Sequence, residues 1–298
     1  MANVEHLTKL KQGSASWIKW LERRCQIEPD LMNANLSGIS LQAVYLAKAN
    51  LTGANLGDAE LIEANLNSAN LQAAELINAN LHQANLSNAN LQSAYLIDAD
   101  LSRANLIGAD LKAANCHRTD FSQANLIGTL MRETNLRRAN LIGTKLNRTN
   151  LSEANLAEAN LNEADLASAT LYKTELQQAN FYKTNLYRIK AIAAYLCKSY
   201  LFAANLTEAT AIQCDLRWAN LSYAILRSAN LQQTNFRGTN LTKADLKGAN
   251  LAGTNLRGAN LTKADLRGAN LTAANIKEAI FHQAMLQGTI MPDGTKHN

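Results

Sequence analysis

Aromatic residues make up only 5% of this 298-residue chain, and proline occurs only as Pro29 and Pro292. The 47% apolar content comes mostly from Leu and Ala, so the chain builds a thin, extended core and not a bulky globular one. The four cysteines, Cys25, Cys116, Cys197 and Cys214, form no CxxC pair and show no metal-ligand spacing. That excludes a disulfide scaffold and reads as unpaired thiols in a reducing compartment. No stretch approaches the roughly 20 apolar residues of a membrane span. The N-terminus, MANVEHLTKLKQGSASWIKWLERR, lacks the apolar run of a signal peptide. The expectation is a cytoplasmic protein with no membrane contact.

What the chain has instead is a beat. From Leu31 to Leu286 every fifth residue is apolar, 52 positions in one register, and Leu fills 43 of them. The exceptions are Cys116, Phe121, Met131, Phe181, Ala191, Ala211, Phe236, Ile276 and Phe281. From Ala34 onward the position two before is small or β-branched, with Ile39, Val44 and Ile189 the larger occupants. A helix needs apolar recurrence near 3.6 and a strand near 2, so a period of five fits neither and the chain must turn at every unit. If each pentapeptide is one side of a square coil, four complete a turn of 20 residues and 52/4 gives 13 coils. At the inter-strand spacing the array is roughly 60 Å long.

Units such as AEANLAEANLNEADLASATL and KADLRGANLTKADL resemble the A(D/N)LXX repeat of the pentapeptide repeat family. The resemblance covers residues 31 to 290. It implies an all-β fold, a right-handed quadrilateral parallel β-helix of about 13 coils. Opposite charges 20 apart agree with that turn: Asp98 with Arg118, Arg138 with Glu158, Glu153 with Lys173, Glu163 with Lys183, and Arg188 with Glu208. The Asn, Asp or Tyr usually found before the central residue suits turn hydrogen bonds and stacked ladders. Gly108, Gly128, Gly248, Gly268 and Gly288 share a column that suits positive φ. At Ala191 the missing Leu is offset by Ile189, whereas Ala211 has no compensation, so coils around 190 to 215 should be the least regular.

Three segments are expected: a helical cap over 1–28, the β-helix over 29–290 and a tail over 291–298. In residues 4 to 24, Val4, Leu7, Leu10, Ser14, Trp17, Ile18 and Leu21 recur at helical spacing and would cover the first coil, leaving Lys9, Lys11, Lys19 and Arg23 outside. The tail, GTIMPDGTKHN, is short, which points to homodimerisation through the C-terminal coil.

The columns also disperse the candidates for catalysis. His6, His82, His117, His282 and His297 do not group, no Ser/His/Asp arrangement emerges, and the stacked Glu133 and Glu153 lie on a convex surface beside Lys173. No enzyme activity, cofactor or metal is expected. Two surface features stand out. One is an aromatic and aliphatic patch of Tyr172, Ile192, Ile212, Tyr182, Phe202, Tyr187, Trp218 and Tyr223, residue types typical of protein-binding hot spots. The other is basic, with Arg217, Arg237, Arg257 and Lys277 in one column, Arg227, Lys247 and Arg267 in another, and Lys243 with Lys263 in a third. Like charges stacked in columns call for an anionic partner or heavy solvation. No aromatic stacking platform lies among them and Asp245 and Asp265 flank them, which weighs against nucleic acid.

Formal net charge is +5, but residues 31 to 110 carry seven acids and two bases while residues 231 to 290 carry seven bases and three acids. Some members of the family resemble duplex DNA and act on DNA gyrase; that mimicry needs an acidic rod, and here only the first of these stretches is acidic. Cyanobacterial members with loop-free arrays and a similar MPDG tail, which regulate by protein contact, are the nearer likeness. The expected function is a non-enzymatic scaffold for an unidentified protein partner, the alternative a DNA-mimicking modulator of gyrase or topoisomerase.

Overall fold

The structure, a computed structural model, describes residues 2–24 and 27–298, so Cys25 lies outside the described residues. The chain divides into two units, Met1–Asn150 and Leu151–Asn298. In the first, parallel bridges link residues 20 apart, as in Asp30 to Asn50 to Asn70 to Asn90, with parallel columns beginning at Asn35, Ser40 and Tyr45. The second repeats this with columns beginning at Asn155, Asn160, Asp165 and Thr170. Four bridging columns per 20 residues make a four-sided parallel coil in each unit, a quadrilateral β-helix.

One pentapeptide shows why five residues suffice for a side. The Leu51 N–H donates to the Asn70 carbonyl at 2.7 Å and that of Gly53 to the Gln72 carbonyl at 2.9 Å, both on the next turn. The Asn55 N–H donates back to the Ala34 carbonyl at 2.9 Å, and the Ala54 N–H closes the corner onto the Leu51 carbonyl at 3.0 Å. The remaining N–H, of Thr52, donates to the Asn50 side chain at 3.3 Å. All five donors are thus satisfied, which is what burial of a backbone requires. The Asn before the central residue is therefore part of the corner, and its amide also reaches along the column, Asn90 to Asn70 and Asn135 to Asn115 at 3.0 Å each.

Each corner places the second residue after the central one in the left-handed region. Glycine is not required there: Asp98, Arg118, Glu208 and even Trp218 adopt φ between 57° and 61°. Left-handed backbone costs an L-residue about 1 kcal/mol or more, and the N–H it aims at the next turn offsets that cost. The glycine column is thus one filling of a position that most residue types occupy.

Inside, the central Leu side chains from Leu31 to Leu271 are buried and Ala or Thr fills most of the space between them. Each buried Leu contributes roughly 2 kcal/mol. Most buried Thr hydroxyls are satisfied by the turn below, as Thr144 donates to the Phe121 carbonyl at 2.8 Å and Thr184 to the Leu161 carbonyl at 2.7 Å, while Thr254 donates within its own turn to the Leu251 carbonyl at 2.7 Å.

The coils at 190 to 215 are a correction. Their ladder is as regular as elsewhere, with Ala191 N–H to the Thr210 carbonyl and Ala211 N–H to the Asn230 carbonyl at 2.7 and 2.8 Å. The lost volume remains as an apolar cavity of about 10 Å³ lined by Ile189, Ala191, Ala211 and neighbouring Leu side chains. Backbone pairing holds the register, so the deficit stays in the side chains.

At the N-terminus two helices replace the single expected one: α1 (Val4–Lys11) and α2 (Ser14–Glu22), separated at Gly13 with φ 96°. The break rotates the inward face. His6, Leu10, Trp17 and Trp20 are buried, whereas Val4 is 79% exposed and Ile18 also faces outward. Both helices bond to the first coil: the Asp30 N–H donates to His6 Nδ1 at 2.9 Å and the Trp17 indole to the Tyr45 carbonyl at 2.7 Å. At the other end Ile290 bridges Lys296 antiparallel, folding the tail back, and Ile276, Phe281, Leu286 and Met291 are only partly buried. Among the described residues no helix is long and apolar enough to cross a membrane.

Candidate functional site

Within Leu151–Asn298 the eight aromatic and aliphatic residues are distributed over all four sides of the coil. Tyr172, Ile192 and Ile212 lie on the side that follows the bridges from Thr170 to Lys190 to Thr210. Tyr182, Phe202 and Tyr223 lie on the side following Asn180 to Tyr200 to Asn220, two sides away. Tyr187 and Trp218 occupy the remaining two. One flat partner cannot touch all eight.

The side carrying Tyr182, Phe202 and Tyr223 concentrates the rings. Tyr182 stacks on Phe202 with centroids 5.9 Å apart and an interplanar angle of 18°, and Phe202 meets Tyr223 at 5.2 Å. Tyr200, outside the expected set, completes the group at 6.0 Å and 9° from Phe202 and 6.5 Å from Tyr182. It occupies the position normally held by the corner Asn, and the sign of it in the sequence was its 18-residue distance from Tyr182, a diagonal neighbour across one turn. Tyr223 is 47% exposed and Tyr200 is also exposed, while Tyr182 and Phe202 are half-buried.

Cations accompany these rings. Lys183 lies 5.1 Å from the Tyr182 ring centroid and Lys243 4.8 Å from that of Tyr223. Lys243 Nζ also donates to the Tyr223 hydroxyl at 2.8 Å. Elsewhere Lys173 lies over Tyr172 and Arg188 over Tyr187, at 5.3 and 4.9 Å.

The basic columns are interleaved with carboxylates. Arg217 pairs with Asp215 at 2.7 Å, Arg227 with Asp245 at 2.6 Å, and Arg257 with Glu278 at 3.3 Å. Lys247 reaches Asp265 at 3.0 Å and Arg267 reaches it at 2.7 Å. Arg237 and Lys277 have no ion-pair partner among the described residues. The repulsion expected within these columns is relieved by acids two, 18 or 21 residues away. Arg267 and then Lys247 hold the Asp265 carboxyl at a pKa of about 2. Burial opposes ionisation of Asp215, yet Arg217 keeps its pKa below the ordinary value.

Among the 20-residue charge pairs, Arg118 meets Asp98 at 2.6 Å, which lowers the Asp98 pKa, and Arg188 meets Glu208 at 2.6 Å. Glu163 and Lys183 make no ion pair among the described residues, Lys183 lying over Tyr182 instead. One adjacency escaped the sequence reading: His82 Nδ1 lies 2.7 Å from the Ser102 hydroxyl one turn on. Among the described residues no carboxylate hydrogen-bonds His82, so the third member of a triad is missing. Among the described residues no group of three or more His, Cys, Asp or Glu could hold a metal ion. Cys116 and Cys214 are buried, which pushes the Cys214 thiol up to about 12 and that of Cys116 higher still, and Cys197 is partly exposed.

Comparison with solved structures gives HetL, a pentapeptide repeat protein involved in heterocyst differentiation regulation from the cyanobacterium Nostoc sp. strain PCC 7120. It is 30% identical, with 96% of this chain and 99% of that one covered and a TM-score of 0.23. The pentapeptide repeat protein Rfr23 from the cyanobacterium Cyanothece 51142 is 42% identical over 30% of this chain and 59% of its own, with a TM-score of 0.29. QnrB1, a plasmid-mediated fluoroquinolone resistance protein, is 18% identical over 62% of this chain and 88% of its own, with a TM-score of 0.42. A comparison with curated proteins gives no match. Among protein families, the one described as pentapeptide repeats matches in eight copies, over residues 30–67, 74–112, 114–152, 149–186, 199–238, 226–258, 239–276 and 254–291. With its corner, its buried columns and these eight matches, the chain belongs to the pentapeptide repeat family.

Proposed function

We propose that this chain is a non-enzymatic scaffold that docks a protein partner on the side carrying Tyr182, Tyr200, Phe202 and Tyr223. The observation behind this is the stack itself, four aromatic rings gathered where outward positions elsewhere are mostly polar. Tyr is among the residue types that dominate binding energy at interfaces, and a side chain already stacked loses little freedom on binding. The column of Tyr172, Ile192 and Ile212 is a second, separate surface for the same kind of contact.

Recovery of partners from the source organism with the wild type, Tyr200→Ala/Phe202→Ala and Tyr172→Ala/Ile192→Ala/Ile212→Ser tests this reading. Loss of a partner in the first variant supports it. Identical recovery with all three proteins sinks it.

The alternative, a DNA-mimicking modulator of gyrase, has the acidic stretch of residues 31 to 110 behind it, with seven acids against two bases. Gyrase supercoiling unaffected by micromolar protein disposes of it. In the scaffold reading α1 and α2 cap the first coil of a right-handed β-helix over 29–290, the tail over 291–298 leaves the last coil partly open for homodimerisation, and the protein works in the cytoplasm.

A further inference from the structure

The aromatic stack sits among donors. Lys183, Lys243 and Lys263 share one register column with Tyr223, and Tyr182, Tyr200 and Tyr223 add three phenols. The hydroxyls of Tyr182 and Tyr200 make no hydrogen bond among the described residues, and the Tyr223 oxygen accepts from Lys243, which leaves its proton free to donate. Glu163 lies one turn before Lys183, and Asp245 and Asp265 stand two residues from Lys243 and Lys263; none of the three pairs with these lysines among the described residues, the two aspartates being held by Arg227, Lys247 and Arg267.

Ring orientation narrows the ligand further. Tyr182, Tyr200 and Phe202 are nearly parallel, with interplanar angles of 9° to 18°, Phe202 lying one turn on from Tyr182 and Tyr200 two residues before Phe202. Their centroids lie 5.9 to 6.5 Å from one another, and Lys183 lies over the Tyr182 ring. An aromatic face is negative and its edge positive. The negative faces of Tyr182 and Tyr223 each carry a lysine ammonium group, which keeps the positive charge of the side beside the rings. Nucleobases bind by stacking on a free ring face, and Tyr182 and Tyr223 each have a lysine over the ring.

Building on the docking surface proposed above, we infer that this side binds an acidic peptide segment of the partner, one that alternates carboxylates with apolar side chains. Carboxylates meet Lys183, Lys263 and the outward phenols, and apolar side chains cover the rings between them. The positive charge matches an acidic chain, and the continuous apolar ledge distinguishes a peptide from a bare anion.

Fluorescence anisotropy on the full chain tests it with three labelled probes: a peptide alternating Glu with Phe, the same peptide with Lys in place of Glu, and an oligothymidylate of equal length. The acidic peptide binds more tightly than the basic one, weakens as salt rises, and loses about tenfold or more in affinity with Lys183→Glu/Lys263→Glu. Both substitutions are at exposed positions, and circular dichroism confirms that the variant is folded. Equal binding of the two peptides, or an unchanged affinity in the charge-reversed variant, overturns the inference. Tighter binding of the oligothymidylate overturns it in favour of nucleic acid. In the partner-recovery experiment, loss with Tyr200→Ala/Phe202→Ala but not with Lys183→Glu/Lys263→Glu leaves the docking surface standing and removes its acidic ligand. No loss with either removes both.

Discussion

The indole of Trp218 lies over the α-carbon of Gly238, one turn further along the coil. A Cβ built on Gly238 would stand 2.3 Å from Trp218 Cζ3 and 2.4 Å from Cε3. Both residues have positive φ, 61° and 67°, and the same column accepts lysine, glutamate and glutamine elsewhere. Glycine is needed at 238 to make room for the ring, and its backbone freedom adds to that.

Gly238→Ala is therefore expected to displace the Trp218 ring and to cost about 1–2 kcal/mol, the left-handed backbone penalty of an L-residue, because the exposed ring itself can swing aside. Trp218 is 57% exposed and Trp17 and Trp20 are buried, so iodide quenching of tryptophan fluorescence reads the movement of Trp218 selectively. Unaltered quenching in the variant contradicts the contact.

Ile189 and Ala191 exchange sizes relative to the usual Ala and Leu, and both line the same small cavity. Ile189→Ala alone should cost about 2–5 kcal/mol, and Ala191→Leu alone about 1–3 kcal/mol through crowding. The double variant restores the ordinary pattern and should recover a coupling of about 0.5–3 kcal/mol. Urea unfolding of the four proteins measures it, and strictly additive losses count against the exchange.

Asp265 is a place where pH should act. Its folded pKa is lowered, chiefly by Arg267, to about 2. A carboxyl depressed on folding adds stability that is fully present above its unfolded pKa of about 3.9 and disappears as pH falls through the folded value. Asp265→Asn should reduce stability at neutral pH, and the gap from wild type should close between about pH 4 and about pH 2. Denaturation midpoints across that range give the answer, and a gap independent of pH rules out the linkage.

Trp17 is fully buried, stacks on Trp20 at 5.1 Å, and donates to the Tyr45 carbonyl. Trp17→Ala should cost about 3–5 kcal/mol locally. Hydrogen exchange should then speed up in α1, α2 and residues 30 to 49 ahead of the coils that follow. Uniform protection across Met1–Asn150 would mean that the helices contribute nothing to the first coil.

Most of the backbone was legible beforehand, since a strict period leaves one way to satisfy five donors per side. The helical break was hidden because Gly13 interrupts a pattern that otherwise continues from Leu10 to Trp17, and the apolar spacing alone does not register the resulting rotation. The candidate surface was half legible. Tyr182, Phe202 and Tyr223 were visible as outward aromatics, while Tyr200 stood in a position read as corner chemistry. The arginines were visible as columns, but Asp215, Asp245 and Asp265 neutralise several of them along diagonals that a 20-residue comparison passes over.

The sequence by itself determined the coil: its period fixes which residues are inward and which share a column, because the buried Leu and the backbone ladder tolerate no slip. Only the tertiary structure decided which outward side chains meet. Long side chains such as Arg227, Lys243, Tyr200 and Trp218 reach along and across turns, and their rotamers settle among several neighbours of similar distance. The rings therefore gather on one side of the coil, and the arginines find carboxylates that the repeat did not pair with them.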